Sequence, residues 1–318
     1  MLDPTELYQV VDDAGSALAG GATMPRGDAG GEGPGDTRVL LHHLGGYVDA
    51  GHAGQLAMDH LLTSLPNTVL ATFDADQLID YRSRRPPMTF ERDHWADYDE
   101  PVLALYAVRD LAGTPFLILA GPEPDTQWER FAAAVAELIG RFEVDVTVGM
   151  NAIPMAVPHT RPAGITAHAT RPGLIDNHEQ WSTVADLPGS AGALLELRLG
   201  QAGHDAMGLA VHVPHYLAET EYPHAARTLL DHISVSTGLL LPTDALTEAA
   251  EEIGADIERK VASSEQATKV VRALERRYDS ATGDERPSLL AQDQPLPTAE
   301  ELGAEVEQFL SEQDHGTS

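Results

Sequence analysis

The stretch that decides the fold is Val39-Leu40-Leu41-His42-His43-Leu44-Gly45-Gly46-Tyr47-Val48-Asp49-Ala50-Gly51, continuing through His52-Ala53-Gly54-Gln55-Leu56-Ala57-Met58-Asp59-His60-Leu61-Leu62. Val39 to Leu44 is a short apolar run and reads as a strand, with Gly45-Gly46 as the turn that ends it. From about Gly51 to Leu62 the spacing sets Leu56, Ala57 and Leu61 on one face of a helix. A strand, a glycine turn and a helix in this order form the opening unit of a layered α/β sheet.

The same rhythm continues outward. Thr68 to Phe73, bounded by Pro66-Asn67, reads as a strand, as do Met88 to Glu91, Val102 to Val108 and Pro115 to Ala120. Leu111-Ala112-Gly113-Thr114 is a hairpin turn between the last two, so the sheet is mixed and not purely parallel. Thr126 and Glu129 have capping-box spacing, and Trp128, Phe131, Val135, Leu138, Ile139 and Phe142 then recur at helical intervals. Val144 to Met150, Gly164 to Ala169 and Met207 to Val213 are further strands, with helices over Ala191 to Leu199 and His224 to Val235. From Thr243 the texture is helical only: Leu246, Ala250, Ile253, Ile257 and Val261, then, after a break at Ser263-Ser264, Val270, Val271, Leu274 and Tyr278. Asp279 to Pro297 reads as a polar linker, and Thr298-Ala299-Glu300-Glu301 as a second capping box opening a helix with Leu302, Val306, Phe309 and Leu310 inward. The expected organisation is a 1–37 segment with a glycine-rich loop, a 38–242 α/β core and a 243–318 helical extension.

Composition narrows the chemistry. The 318 residues contain no cysteine, which excludes thiolate metal sites, thiol nucleophiles and disulfides. Twenty Lys+Arg stand against 50 Asp+Glu, a net charge of −30 that disfavours nucleic acid and anionic lipid as partners. The start, Met1-Leu2-Asp3-Pro4-Thr5-Glu6, lacks the basic and apolar regions of a signal peptide, and no 18-residue apolar run appears, so a cytoplasmic protein without a membrane span is expected.

Tests for familiar catalysis fail on spacing. Ser234-Val235-Ser236-Thr237-Gly238 has serine where a nucleophile elbow has its first glycine, and it follows a helix. His178-Glu179 lacks the second histidine of a zinc-peptidase helix. His42 and His43 point to opposite faces of their strand, so only one can join a given site. Gly30-Gly31-Glu32-Gly33-Pro34-Gly35 lacks the Gly-Lys-Ser/Thr ending of a phosphate loop. No metal and no cofactor is expected. Three segments stand out as candidates. The turn with Gly45, Gly46, Asp49 and Gly51 places backbone N–H groups near a helix start, where an anion can sit. Asp80-Tyr81-Arg82-Ser83-Arg84-Arg85-Pro86-Pro87 concentrates three arginines, Arg82 among them. Pro158-His159-Thr160-Arg161-Pro162, followed by His168, comes just after a strand's C-terminal end, the edge where open α/β sheets bind ligands.

Taken together, Gly45 to Gly51, Ile79-Asp80-Tyr81-Arg82 with Arg85-Pro86, Gly121-Pro122-Glu123-Pro124, Pro158 to Pro162, and His212-Val213-Pro214-His215-Tyr216-Leu217 with Tyr222-Pro223 resemble the proteasome assembly chaperone 2 family, in its actinobacterial branch. The resemblance spans about residues 38 to 240. It implies a three-layer α/β/α fold with a mixed central sheet, similar to nucleoside phosphorylases and peptidyl hydrolases, plus a C-terminal all-helical extension. It also implies homo-oligomers, often trimers, and no catalytic residues to carry over. Chaperone relatives dock on the proteasome through a tail ending aliphatic-aromatic-x; Gln313-Asp314-His315-Gly316-Thr317-Ser318 departs from that pattern.

Two readings follow. The favoured one is a non-catalytic, oligomeric protein-binding module, an assembly chaperone in kind, whose partners are itself and a further protein. The alternative is a hydrolase or nucleosidase with a phosphorylase-like pocket, built from Asp49, His159, Arg161, His168 and His215, with Asp49 paired to Arg161. Convergence of these groups in one concavity, or their dispersal, separates the two.

Overall fold

In the strand Val39–Gly45 successive side chains alternate between two separate cores: Val39 and Leu41 enter one, Leu40 the other. This alternation defines the layers. The computed structural model describes residues 2–11, 37–175 and 184–281. Its strands are β1 (Tyr8–Val10), β2 (Val39–Gly45), β3 (Asn67–Phe73), β4 (Met88–Glu91), β5 (His94–Tyr98), β6 (Ala104–Arg109), β7 (Pro115–Pro122), β8 (Val146–Met155), β9 (Ile165–Ala169) and β10 (Asp205–Pro214). Its helices are α1 (Ala53–Ser64), α2 (Ala75–Leu78), α3 (Trp128–Arg141), α4 (Ala191–Gln201), α5 (Pro223–Thr237), α6 (Asp244–Ser263) and α7 (Glu265–Ala281).

Eight strands form one mixed sheet in the order β1-β3-β6-β7-β2-β8-β10-β9. The four central strands β7, β2, β8 and β10 are parallel, and antiparallel strands flank them on both sides. One face packs on α1 and α5 through Leu41, Ala57, Leu61, Leu229 and Ile233. The other packs on α3 and α4 through Leu40, Leu117, Phe131, Leu138 and Leu195. The architecture is therefore α/β/α. Leu246 and Ile257 of α6 extend the first core, and α7 turns back from Ser264, whose hydroxyl accepts from the Ala267 amide at 3.2 Å.

The expected hairpin joins β6 and β7, held by the buried Asp110 carboxylate, which accepts from the amides of Ala112, Thr114 and Leu240. Several expectations need correction. The Thr126/Glu129 capping box does not form: Gln127, at φ 57°, is the N-cap residue, the Thr126 hydroxyl donates to the Gln77 carbonyl, and Glu129 pairs with Arg198. Strand β8 begins at Val146, because the Asp145 amide is diverted to the Arg38 carbonyl, and it runs on to Met155 in full parallel register with β10. Strands β1 and β5 carry too little periodic signal to be read from sequence. Helix α7 continues through Ala281, so 279–281 belong to it and not to a linker. The rest of that linker, the 298–310 helix and nearly all of the glycine-rich 15–37 segment lie outside the described residues.

Candidate functional site

The parallel strands end along one edge, at Gly45, Pro122, Met155 and Pro214, and the segments that follow them carry most of the candidates. Gly46 has φ 145°, and a Cβ there would lie 2.5 Å from the Arg84 guanidinium, so glycine allows the arginine to lie against the turn. Arg84 donates to the Gly45 carbonyl at 3.0 Å and pairs with Asp125 at 2.9 Å, with Glu123 at 4.0 Å. Gly51, at φ 64°, exchanges backbone hydrogen bonds with Ala218 and Tyr222, and a Cβ would meet the Tyr222 side chain at 2.8 Å.

The turn's own carboxylate occupies the anion position expected at the helix start. Asp49 accepts from the Gly54 amide at 2.7 Å and the Gln55 amide at 2.9 Å, with His43 Nε2 at 3.6 Å. Buried Glu123 does the same for α4, accepting from the Ala191 amide at 2.6 Å, while the Ser190 hydroxyl accepts from Ala193. The space beside these groups, lined by His42, Gly46, Asp49, Glu123, Asn151 and Ser190, is about 20 Å³, enough for one water. His42 is fully enclosed on the α4 face, and burial, with the charges of His43 and His168 adding to it, lowers its pKa to about 4. His43 points to the α1 face, as its position in the strand requires.

A second cluster follows β8 and β10. The Tyr216 hydroxyl receives the His159 amide at 2.9 Å and meets His159 Nδ1 at 2.6 Å, and the His215 ring stands edge-on to Tyr216 at 5.5 Å. Burial lowers the pKa of His159 against the opposing pull of Glu258 and Glu275; burial likewise lowers that of His215. Arg161 is engaged elsewhere, in a bidentate pair with Asp279 at 2.7 Å and with Glu275 at 3.6 Å; Thr160 donates to Glu275 at 2.6 Å. These bonds tie the loop to α7.

The candidates therefore separate. His159 and His215 meet, through Tyr216. Asp49 and Arg161 form no ion pair among the described residues, because each is already held by other groups. His168 lies off the edge, opposite Gly208 near the start of β10, half-exposed and bonded to Glu196 at 2.8 Å. Burial alone would lower the His168 pKa, but the Glu196 bond and charge outweigh it and raise it. Arg82 is exposed, and among the described residues its side chain makes no hydrogen bond or ion pair, its amide donating to Asp80; Arg84 takes the position expected of it. Nothing in the composition of Arg82-Ser83-Arg84-Arg85 distinguishes its members, and Glu123 and Tyr216 stood only inside quoted motifs with no role attached.

A mixed three-layer α/β/α protein whose strand-end turns are held by its own carboxylates and arginine, with room for about one water beside them among the described residues, is the class that fold and site define. The PAC2 family model matches residues 43–261, and the chain belongs to the PAC2 family. The match runs through α6, farther than the motifs alone reach. A Mycobacterium tuberculosis protein of unknown function is 45% identical, with 86% of this chain and 89% of that one covered and a TM-score of 0.75. A Corynebacterium glutamicum protein of unknown function is 38% identical over 88% and 99%, with a TM-score of 0.78. A Mycobacterium tuberculosis proteasome-assembly chaperone homologue shares the fold, with 22% identity over 73% and 99% and a TM-score of 0.66. No curated protein matches. Among the described residues no helix is long and apolar enough to cross a membrane.

Proposed function

We propose that this chain is a non-catalytic, self-associating protein-binding module of the PAC2 family that assists the assembly of other proteins. The observation that carries the reading is the engagement of the enzyme candidates by other groups: Asp49 caps α1, Arg161 fastens α7 and His168 faces Glu196, while His159 and His215 meet through Tyr216. An acid–base apparatus needs such groups within reach of one reacting atom. Asp49, Arg161 and His168 are instead each engaged by a neighbouring element of the fold. The family's proteasome-assembly chaperone homologue supports an assembly role. The test is reconstitution: the purified chain, added in stoichiometric amount to separately expressed proteasome α- and β-subunits from its own cell, should speed formation of the assembled particle. An unchanged assembly rate, with no complex between the chain and any subunit, would overturn the assembly role.

A further inference from the structure

Two imidazoles face one another beneath α4 across a pair of glycines. The ladders run from His42 in β2 to Gly149 in β8, from Gly149 to Gly208 in β10, and from Gly208 to His168 in β9, so the four residues form one row across the sheet. A Cβ on Gly149 would lie 3.0 Å from both Cε1 and Nε2 of His42, and one on Gly208 would lie 2.5 Å from His168 Nε2 and closer still to its Cε1. Each ring therefore leans over the glycine beside it, toward the other ring. Their leading edges stand about one strand spacing apart, ~5 Å. A side chain at either glycine would take the place of a ring.

Helix α4 rests on both rings. The Cβ position of Gly192 is 3.7 Å from His42 Cε1, and one turn later Glu196 bonds His168 Nδ1 at 2.8 Å. The groups facing the pair are Glu196 from α4, His43 from β2, and Asp49 and Glu123 beside the small space that His42 borders. Among the described residues Glu196 alone bonds a ring of the pair. The two rings are held in different states. Against the pull of burial, the bond and charge of Glu196 favour a proton on His168, whereas burial, with the charges of His43 and His168 adding to it, keeps His42 neutral. A proton on His42 as well would set two like charges ~5 Å apart, one of them shut off from water. The sheet side of the row is backbone and glycine and cannot yield, so relief requires the helix to move.

We propose that His42 and His168 form a proton-operated seat for α4: one proton on the pair, held with Glu196, keeps the helix on the sheet, and a second proton lifts it. Lifting uncovers Leu195 and Leu199 and parts the Ala191 amide from Glu123, so acid exposes an apolar surface beside the strand-end edge. The switch is independent of the binding role proposed above. The two rings act with opposite sign. Seating by the His168–Glu196 bond is complete below pH 6.5 and lost as pH rises, while seating by neutral His42 is lost as pH falls from 6.5 toward 4. With His42 at about 4 when seated and 6.5 when lifted, the lifted population should grow ~7-fold from pH 6 to pH 5. Hydrogen–deuterium exchange of the full chain, corrected for the intrinsic rate at each pH, should show α4 amides losing protection by that factor while α1 and α5, on the opposite face, keep theirs. His42→Asn should abolish the loss, and His168→Gln should lower α4 protection already at pH 6. Wild-type protection that is unchanged in α4, or that falls equally in α1, α4 and α5, overturns the switch whether or not the variants fold. A loss confined to α4 that persists in folded His42→Asn overturns the assignment to this pair.

Discussion

Arg84→Ala removes the group that fastens the β2 turn, the β7 end and the segment leading into β4 to one another. Its guanidinium is 30% exposed and makes two charge-assisted contacts, with the Gly45 carbonyl and Asp125, beside a Glu123 side chain only 8% exposed. Hydrogen bonds to charged groups contribute about 1.5–3 kcal/mol each when buried, and partial solvation lowers that. The loss leaves Glu123 and Asp125 close together without their cation, so a net destabilisation of about 2 kcal/mol is expected. For a domain of this size that is a fall in melting temperature of about 4–8 °C. Urea unfolding should show a lower midpoint at unchanged slope. Arg82→Ala, two residues away and exposed, should stay within about 0.5 kcal/mol of wild type. Equal effects of the two substitutions, or a larger one for Arg82→Ala, would refute the assignment of the clamp to Arg84.

Gly51→Ala should cost about 1–3 kcal/mol, because φ is 64° and the new methyl would press on the Tyr222 side chain; a midpoint equal to wild type would contradict this contact. His42 has a folded pKa of about 4 against 6.5 when exposed, so the unfolded chain binds the extra proton and stability falls as pH drops from 6.5 to 4, by about 3 kcal/mol. Urea midpoints across that range should slope less in His42→Asn than in wild type, and parallel slopes would count against a buried neutral His42. Arg161→Ala should release α7 from the His159 loop: amide exchange along Glu265–Ala281 should accelerate while β2 and β8 keep their protection, and unchanged exchange in α7 would show that its tether lies elsewhere.

The layering was legible in the sequence because it rests on local periodicity. Val39 to Leu44, the helix behind Trp128 and Phe131, and the β6–β7 hairpin are each specified by a few neighbouring residues, and their α/β/α arrangement follows. Strand β1 is three residues long and exists by pairing Tyr8 with Phe73, a partner 65 positions away, so no local pattern announces it. The capping box failed for a similar reason. Thr126 and Glu129 have the right spacing, but Gln77 and Arg198, brought in by tertiary packing, offer them other partners. At the edge, the sequence put Gly45, Gly46, Asp49 and His159 on segments that follow strands, and the structure has β2 ending at Gly45 and β8 at Met155, before the others. It could not show that Asp49 is spent on the helix that follows it, nor that Arg84 and not Arg82 folds over Gly46. Which of several equivalent charges meets which is decided by side-chain geometry across elements, and composition is silent about that.

The most direct test of a sealed, non-catalytic edge is a thermal-stability titration with inorganic phosphate, nucleosides and acylated peptides, each to 10 mM, paired with turnover assays on the corresponding nucleosides and esters. An edge filled by Asp49, Glu123 and Arg84 predicts no ligand-dependent rise in melting temperature and no turnover. A saturable rise accompanied by turnover, both abolished by His159→Gln or Asp49→Asn in protein that remains folded, would contradict the account and return the chain to the enzymes.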